Sequence, residues 1–178
     1  VNPKVPMLSA RCDHGSVYHM DYLYAIGGSG SYQKCERLLV REDRWEALQT
    51  LPRECFGVSV AVVRKTQSLY ALGVEFEENR YLGLVQRLSL RSLTWEVMPI
   101  KLPGAALDIV CFRHGESKVW FVVSEKLYCL NALTEGSISF VKKVGNIVSK
   151  GGPSYYLRGN LYCPILDKAA KKHVIGSI

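Results

Sequence analysis

The sequence predicts an all-β chain built from four-stranded antiparallel units, and three observations carry that prediction. Short runs rich in Val, Ile, Leu and Tyr are separated by Gly, Pro, Asn and charged turns, with little of the 3.6-residue periodicity of an amphipathic helix. One aromatic strand pattern returns along the chain: "YLYAIGG" (Tyr22 to Gly28), "SLYALGV" (Ser68 to Val74), "KVWFVVS" (Lys118 to Ser124) and "NLYCPIL" (Asn160 to Leu166). Their matching aromatics, Tyr24, Tyr70, Trp120 and Tyr162, lie 46, 50 and 42 residues apart. Repeats of about 40–50 residues mark an architecture in which each unit buries its faces against its neighbours.

Each unit can be set out in order. The first has strands over 15–20, 22–28, 34–40 and 43–48, and the second over 57–63, 68–73, 84–90 and 94–98. The third runs 106–112, 118–123, 126–131 and 138–143, and the fourth begins 153–157, 160–165 and 172–176. Two further landmarks fix the phase. "DRWEALQTLP" and "LTWEVMPIKLP" both place Trp-Glu at the head of a short segment closing in Leu-Pro, with Leu38 or Leu88 seven residues before the tryptophan. "RCDHGSV" and "RECFGVSV" both lead Arg-x-x-x-Gly into a β-branched run. Phe140 is expected to stand where the third unit should carry its tryptophan.

These motifs, taken together, resemble the kelch repeat, the blade unit of kelch-type β-propellers. The likeness spans Arg11 to Pro52 well and Arg53 to Pro103 fairly, and then fades: the glycine pair becomes Gly73-Val74, Val122-Val123 and finally Cys163-Pro164. What the resemblance implies is a kelch-like propeller, incomplete within this chain, with blades at 11–52, 53–103, 104–145 and 146–178. Propellers have typically four to eight blades, so just under four argues for part of a larger ring.

Composition excludes several alternatives. With 48% hydrophobic and 22% charged residues, the 178-residue chain is globular rather than disordered. It has no apolar run of the roughly 18 residues a membrane helix needs, and no targeting peptide is expected at its start. The net charge is +7, yet Lys and Arg are scattered, with "DKAAKKH" the only tight cluster, so nucleic-acid binding is not expected. Cys12, Cys35, Cys55, Cys111, Cys129 and Cys163 occur singly and mostly within apolar runs, without a CxxC pair. They read as small buried hydrophobes of a reducing, cytoplasmic protein.

Catalytic and cofactor chemistry finds little footing. Gly27-Gly28-Ser29-Gly30 lacks the Lys-Ser/Thr of a P-loop, the third glycine of a dinucleotide fingerprint and a following helix; it reads as a strand end. His14, His19, His114 and His173 form no zinc spacing with the cysteines, and no nucleophile elbow is present. Glu75, Glu77 and Glu78 crowd what reads as a loop in "VEFEENRY". No cofactor or metal is expected.

In a four-stranded blade the second-to-third-strand loop and the lead-in to the next blade emerge on one face, because alternate antiparallel strands share a direction. That face should gather Tyr32, Glu75, Phe76, Glu77 and Arg80 with the lead-in arginines Arg11 and Arg53. Tyr and Arg are common interface anchors, and loops on a rigid β scaffold commonly serve recognition. The alternative for Arg11 and Arg53 is that they bond carbonyls near the propeller channel. The expected function is a non-catalytic interaction module presenting these loops to a protein partner. The resemblance implies roles such as ubiquitin-ligase substrate adaptor, cytoskeletal scaffold or subunit of a larger assembly. The competing reading is a propeller enzyme or sugar-binding protein with a central pocket.

Overall fold

The computed structural model describes residues 5–104, 109–134 and 136–144, together with the backbone of Tyr155–Leu157, Asn160–Asp167 and Lys172–Ser177. Among the described residues there is no helix. The chain forms four antiparallel sheets in strict sequence order. The first holds β1 (Gly15–His19), β2 (Tyr22–Ile26), β3 (Cys35–Leu39) and β4 (Arg44–Ala47). The second holds β5 (Phe56–Val63), β6 (Ser68–Glu77), β7 (Arg80–Ser89) and β8 (Trp95–Lys101). The third holds β9 (Val110–His114), β10 (Lys118–Val123), β11 (Lys126–Asn131) and β12 (Ser137–Lys143). The fourth contains β13 (Tyr155–Leu157), β14 (Asn160–Asp167) and β15 (Lys172–Ser177). The expected strand starts at 106 and 153 lie outside the described residues.

Each sheet packs its first strand beside the first strand of the next, β1 on β5, β5 on β9 and β9 on β13. The first strands therefore line an axis and the fourth strands lie outermost, which is the radial order of propeller blades. Strand alternation then gives the second blade two apolar faces. One core joins the first blade to the second, through Tyr24, Ile26, Cys35 and Leu51 against Val60, Leu69, Leu88 and Trp95. Another joins the second to the third, through Tyr70, Leu72, Val85 and Met98 against Val119, Phe121 and Leu130.

The register explains the sequence spacings. Leu38 lies directly opposite Trp45 and Leu88 directly opposite Trp95, so the seven-residue interval is the length of a hairpin joining cross-strand partners. Beside them runs a polar ladder: Tyr24 opposes Arg37, which opposes Glu46, and Tyr70 opposes Arg87, which opposes Glu96. The Arg37 Nε donates to Glu46 at 3.0 Å, and Arg87 pairs with Glu96 in the same way. In the third blade Leu130 opposes Ile138, so the tryptophan position falls to Ile138. Phe140, expected there, stands two residues further along the same face, where it is 59% exposed and rests against Tyr128. The eight-residue interval from Leu130 to Ile138 hides this register from a pattern fixed at seven.

A larger departure concerns residues 74–83, read as a loop. They extend the β6–β7 hairpin to a two-residue turn at Glu78-Asn79, both with positive φ (48° and 63°). That is the mirror-image turn matching strand twist, and Asn tolerates it well. In the first blade Gly27 and Gly28 (φ 62° and 97°) turn the chain out of the sheet after Ile26. In the second, Val74 replaces the second glycine, and a β-branched residue there keeps the backbone extended. Hence one hairpin stops and the other continues.

The histidines at the blade ends give a pH signature. Burial, chiefly, lowers the pKa of His14, His19 and His114, assisted by Arg11 at His14, by Arg64 and Arg113 at His19, and by Lys118 at His114. A folded pKa below the unfolded value of about 6.5 means that the unfolded chain takes up protons first. Stability is therefore full above pH 6.5 and declines as pH falls from there through the folded values. The urea midpoint should fall between pH 8 and pH 5.5, with a shallower decline in His19→Gln; a midpoint that rises on acidification contradicts this assignment.

Candidate functional site

The two lead-in arginines occupy matching positions and do different things. In the first two blades the third strand carries a buried polar residue that holds the incoming segment: Glu36, 1% exposed, in the first and Gln86, 0% exposed, in the second. Glu36 accepts from the Leu8 and Ser9 amides and from the Arg11 guanidinium. Arg11 also donates to the carbonyls of Gly27 at 2.9 Å and Lys34 at 2.7 Å. Its side chain is 1% exposed, so Arg11 does not reach the loop surface; a buried carboxylate demands a buried cation. Gln86 instead accepts from the Arg53 amide at 3.0 Å and donates to the Arg53 carbonyl at 3.1 Å. A neutral amide needs no counter-ion, and the Arg53 side chain swings outward to Glu75 at 2.9 Å, with Glu77 at 3.9 Å.

Around Arg53 the structure gathers the other expected residues. Tyr32, in the β2–β3 loop, places its ring 4.8 Å from that of Phe56 at the start of β5. Phe56 lies edge-on to Tyr81 at 6.5 Å, and Tyr81 meets Phe76 at 5.1 Å. The four rings form one band running from the first blade onto the extended hairpin. Tyr32, Tyr81 and Phe76 are 36%, 45% and 55% exposed, which is large for side chains of this size clustered together. Arg80 also lies on this hairpin, paired with Glu78 at 3.4 Å. Beside the band is an open cavity of about 320 Å³ lined by Gln33, Pro52, Arg53, Glu54, Phe56, Glu75 and Phe76.

Phe56 and Tyr81 belong to this surface although sequence reasoning passed over them. Phe56 was hidden inside the Arg-x-x-x-Gly landmark. Tyr81 was readable once Glu78-Asn79 is taken as a two-residue turn, because the register then sets it opposite Phe76. Below the surface Cys55 is buried, and desolvation, with Glu75 nearby, pushes its thiol up to about 12. Cys35 and Cys111 are raised likewise by burial. No group of three or more His, Cys, Asp or Glu placed to hold a metal occurs among the described residues.

Comparison with known proteins accords with the repeat reading. No protein-family model matches the chain. Kelch-like protein 38 of Rattus norvegicus is 33% identical over 101 residues, covering 54% of this chain, and its Mus musculus counterpart gives the same figures. A kelch repeat-containing protein of Dictyostelium discoideum is 31% identical over 91 residues, 47% of this chain. The chain spans only 17% of the length of the rodent proteins and 14% of the Dictyostelium one. Among solved structures, that of YjhT superposes with a TM-score of 0.74 at 13% identity, over 91% of this chain and 59% of its own; at that identity the likeness concerns the fold. With its antiparallel sheets in sequence order, its axis of first strands and its recurrent Arg-x-x-x-Gly and Trp-Glu landmarks, the chain folds as a kelch-type β-propeller, incomplete within these 178 residues.

Proposed function

We propose that this chain is a non-catalytic protein-interaction module whose loop face receives a protein partner. The observation that supports it is the band of Tyr32, Phe56, Tyr81 and Phe76 flanked by the Arg53–Glu75 pair. Exposed aromatics carried on rigid strands lose little conformational freedom on docking and match the composition of interface hot spots. Glu77 and Arg80, exposed on the same hairpin, make a polar rim. Substrate adaptor of a ubiquitin ligase, cytoskeletal scaffold and subunit of a larger assembly are the roles we propose, in the cytoplasm. Support for that location comes from cysteines that are free among the described residues.

The test places a photo-crosslinking residue at Phe76 and, as a control, at the exposed Met20 on the opposite end. Partners captured from Phe76 alone are then purified and their affinity measured. The double variant Phe76→Ala/Tyr81→Ala should weaken binding about 1,000-fold, since central aromatic anchors contribute about 2 kcal/mol or more each, while the far-ultraviolet spectrum stays unchanged. Unaltered affinity in that variant, or saturable binding of a sugar at this face with no protein captured, overturns the reading.

A further inference from the structure

The opposite end of the axis carries a separate arrangement that the loop face does not explain. There the first strands of three blades finish side by side: β1 at His19, β5 at Val63 followed by Arg64, and β9 at Arg113 and His114. The turns leaving them are joined, the Lys65 amide donating to the Glu116 carbonyl at 3.0 Å. Among the described residues at this end, His19 Nε2, Thr66 Oγ1 and Arg113 Nη1 are buried without a hydrogen-bond partner. His19 itself is 9% exposed. Buried polar groups are nearly always paired, and an orphan marks a missing partner. Nearby charge says which kind. Arg64 and Arg113 both lie close enough to His19 to act on it electrostatically, and among the described residues neither has a carboxylate within hydrogen-bonding range; Arg113 comes no nearer to Glu116 than 3.8 Å.

We infer that this end of the propeller axis is a binding site for a dianionic oxyanion of the phosphate class, gripped by Arg64 and Arg113, with His19 and Thr66 as polar partners. Two guanidiniums offer forked donors that match the paired oxygens of a tetrahedral oxyanion. Lys65 and Lys118, both exposed nearby, add long-range attraction. With Lys65 and Lys118 counted beside the two guanidiniums, and Glu116 against them, this end keeps an excess of positive charge that a phosphate dianion or phosphate monoester offsets better than a monoanionic carboxylate. This site is independent of the loop face, and its failure would leave the proposed protein-binding role untouched.

The test follows the His19 ring resonances of the full chain, assigned by their loss in His19→Gln, during titration at constant ionic strength. Sodium phosphate and O-phosphoserine are compared with sodium acetate and sodium chloride. Phosphate should shift the His19 signals saturably and raise the melting temperature, acetate should bind at least about tenfold more weakly, and chloride should do neither. Arg64→Gln and Arg113→Gln should each weaken phosphate about tenfold or more, the usual loss for one charge-assisted hydrogen bond. Arg64 is exposed, so its replacement leaves the core intact. Saturation by phosphoserine identifies a phosphorylated chain as the source, and saturation by phosphate alone the free ion. A His19 response to phosphate no larger than to chloride, or unchanged affinity in both arginine variants, overturns the proposal.

Discussion

Replacing Arg11 with Met is expected to destabilise the chain by about 3–5 kcal/mol, the usual cost of stranding one member of a buried ion pair. Glu36 and Arg11 have side chains only 2% and 1% exposed, so solvent cannot take over the missing cation. The Gly27 and Lys34 carbonyls would each lose one donor as well. The second blade shows the remedy: Gln86 holds its lead-in segment through a neutral amide. Arg11→Met/Glu36→Gln should therefore recover at least half of the loss, a strongly non-additive result readable as urea midpoints of the two single variants and the double. If Arg11→Met costs no more than a surface substitution, about 0.5 kcal/mol, the pair does not hold the first blade together.

Comparable in size is the effect of Phe121→Ala, about 3–5 kcal/mol for a large buried aromatic. Phe121 is 0% exposed, stacks on Tyr128 with centroids 5.5 Å apart, and packs into the core shared by the second and third blades. Its loss opens a cavity between two rigid sheets that cannot easily collapse. Phe140→Ala is the control, because that ring is mostly exposed and should cost well under 1 kcal/mol. Equal midpoints for the two variants would mean that the inter-blade core is not what stabilises the chain.

Much of the architecture was legible because strand alternation and turn residues write directly into the sequence. The predicted spans over 118–123 and 126–131 coincide with β10 and β11, where Lys, Ser and Glu punctuate a run of Val, Phe, Leu and Tyr. What escaped was long-range or depended on register. The burial of Arg11 follows from its meeting Glu36 across 25 residues, and no local pattern shows that a charged residue will find its counter-ion inside. The Ile138 position depends on the pairing offset between β11 and β12, and that pairing carries an irregularity at Leu127/Tyr128. Glutamates at 75, 77 and 78 look like a solvated loop until the two-residue turn is recognised, after which Glu75 and Glu77 share one face of the hairpin and Glu78 falls in its turn. Of the surface residues expected on the loop face, Tyr32, Arg53, Glu75, Phe76, Glu77 and Arg80 do lie there, whereas Arg11 is consumed by the fold.

That hairpin separates two properties proteins often have to trade. From Phe76 to Tyr81 every residue is exposed, while the inter-blade cores draw on this hairpin only up to Val74 and from Leu84 onward. Mutational drift at the tip can therefore rewrite what the face recognises with little risk to folding. For protein engineering, the six residues of the tip are a graft site: foreign two-strand sequences of matching twist should be accepted there while the blades keep their melting temperature.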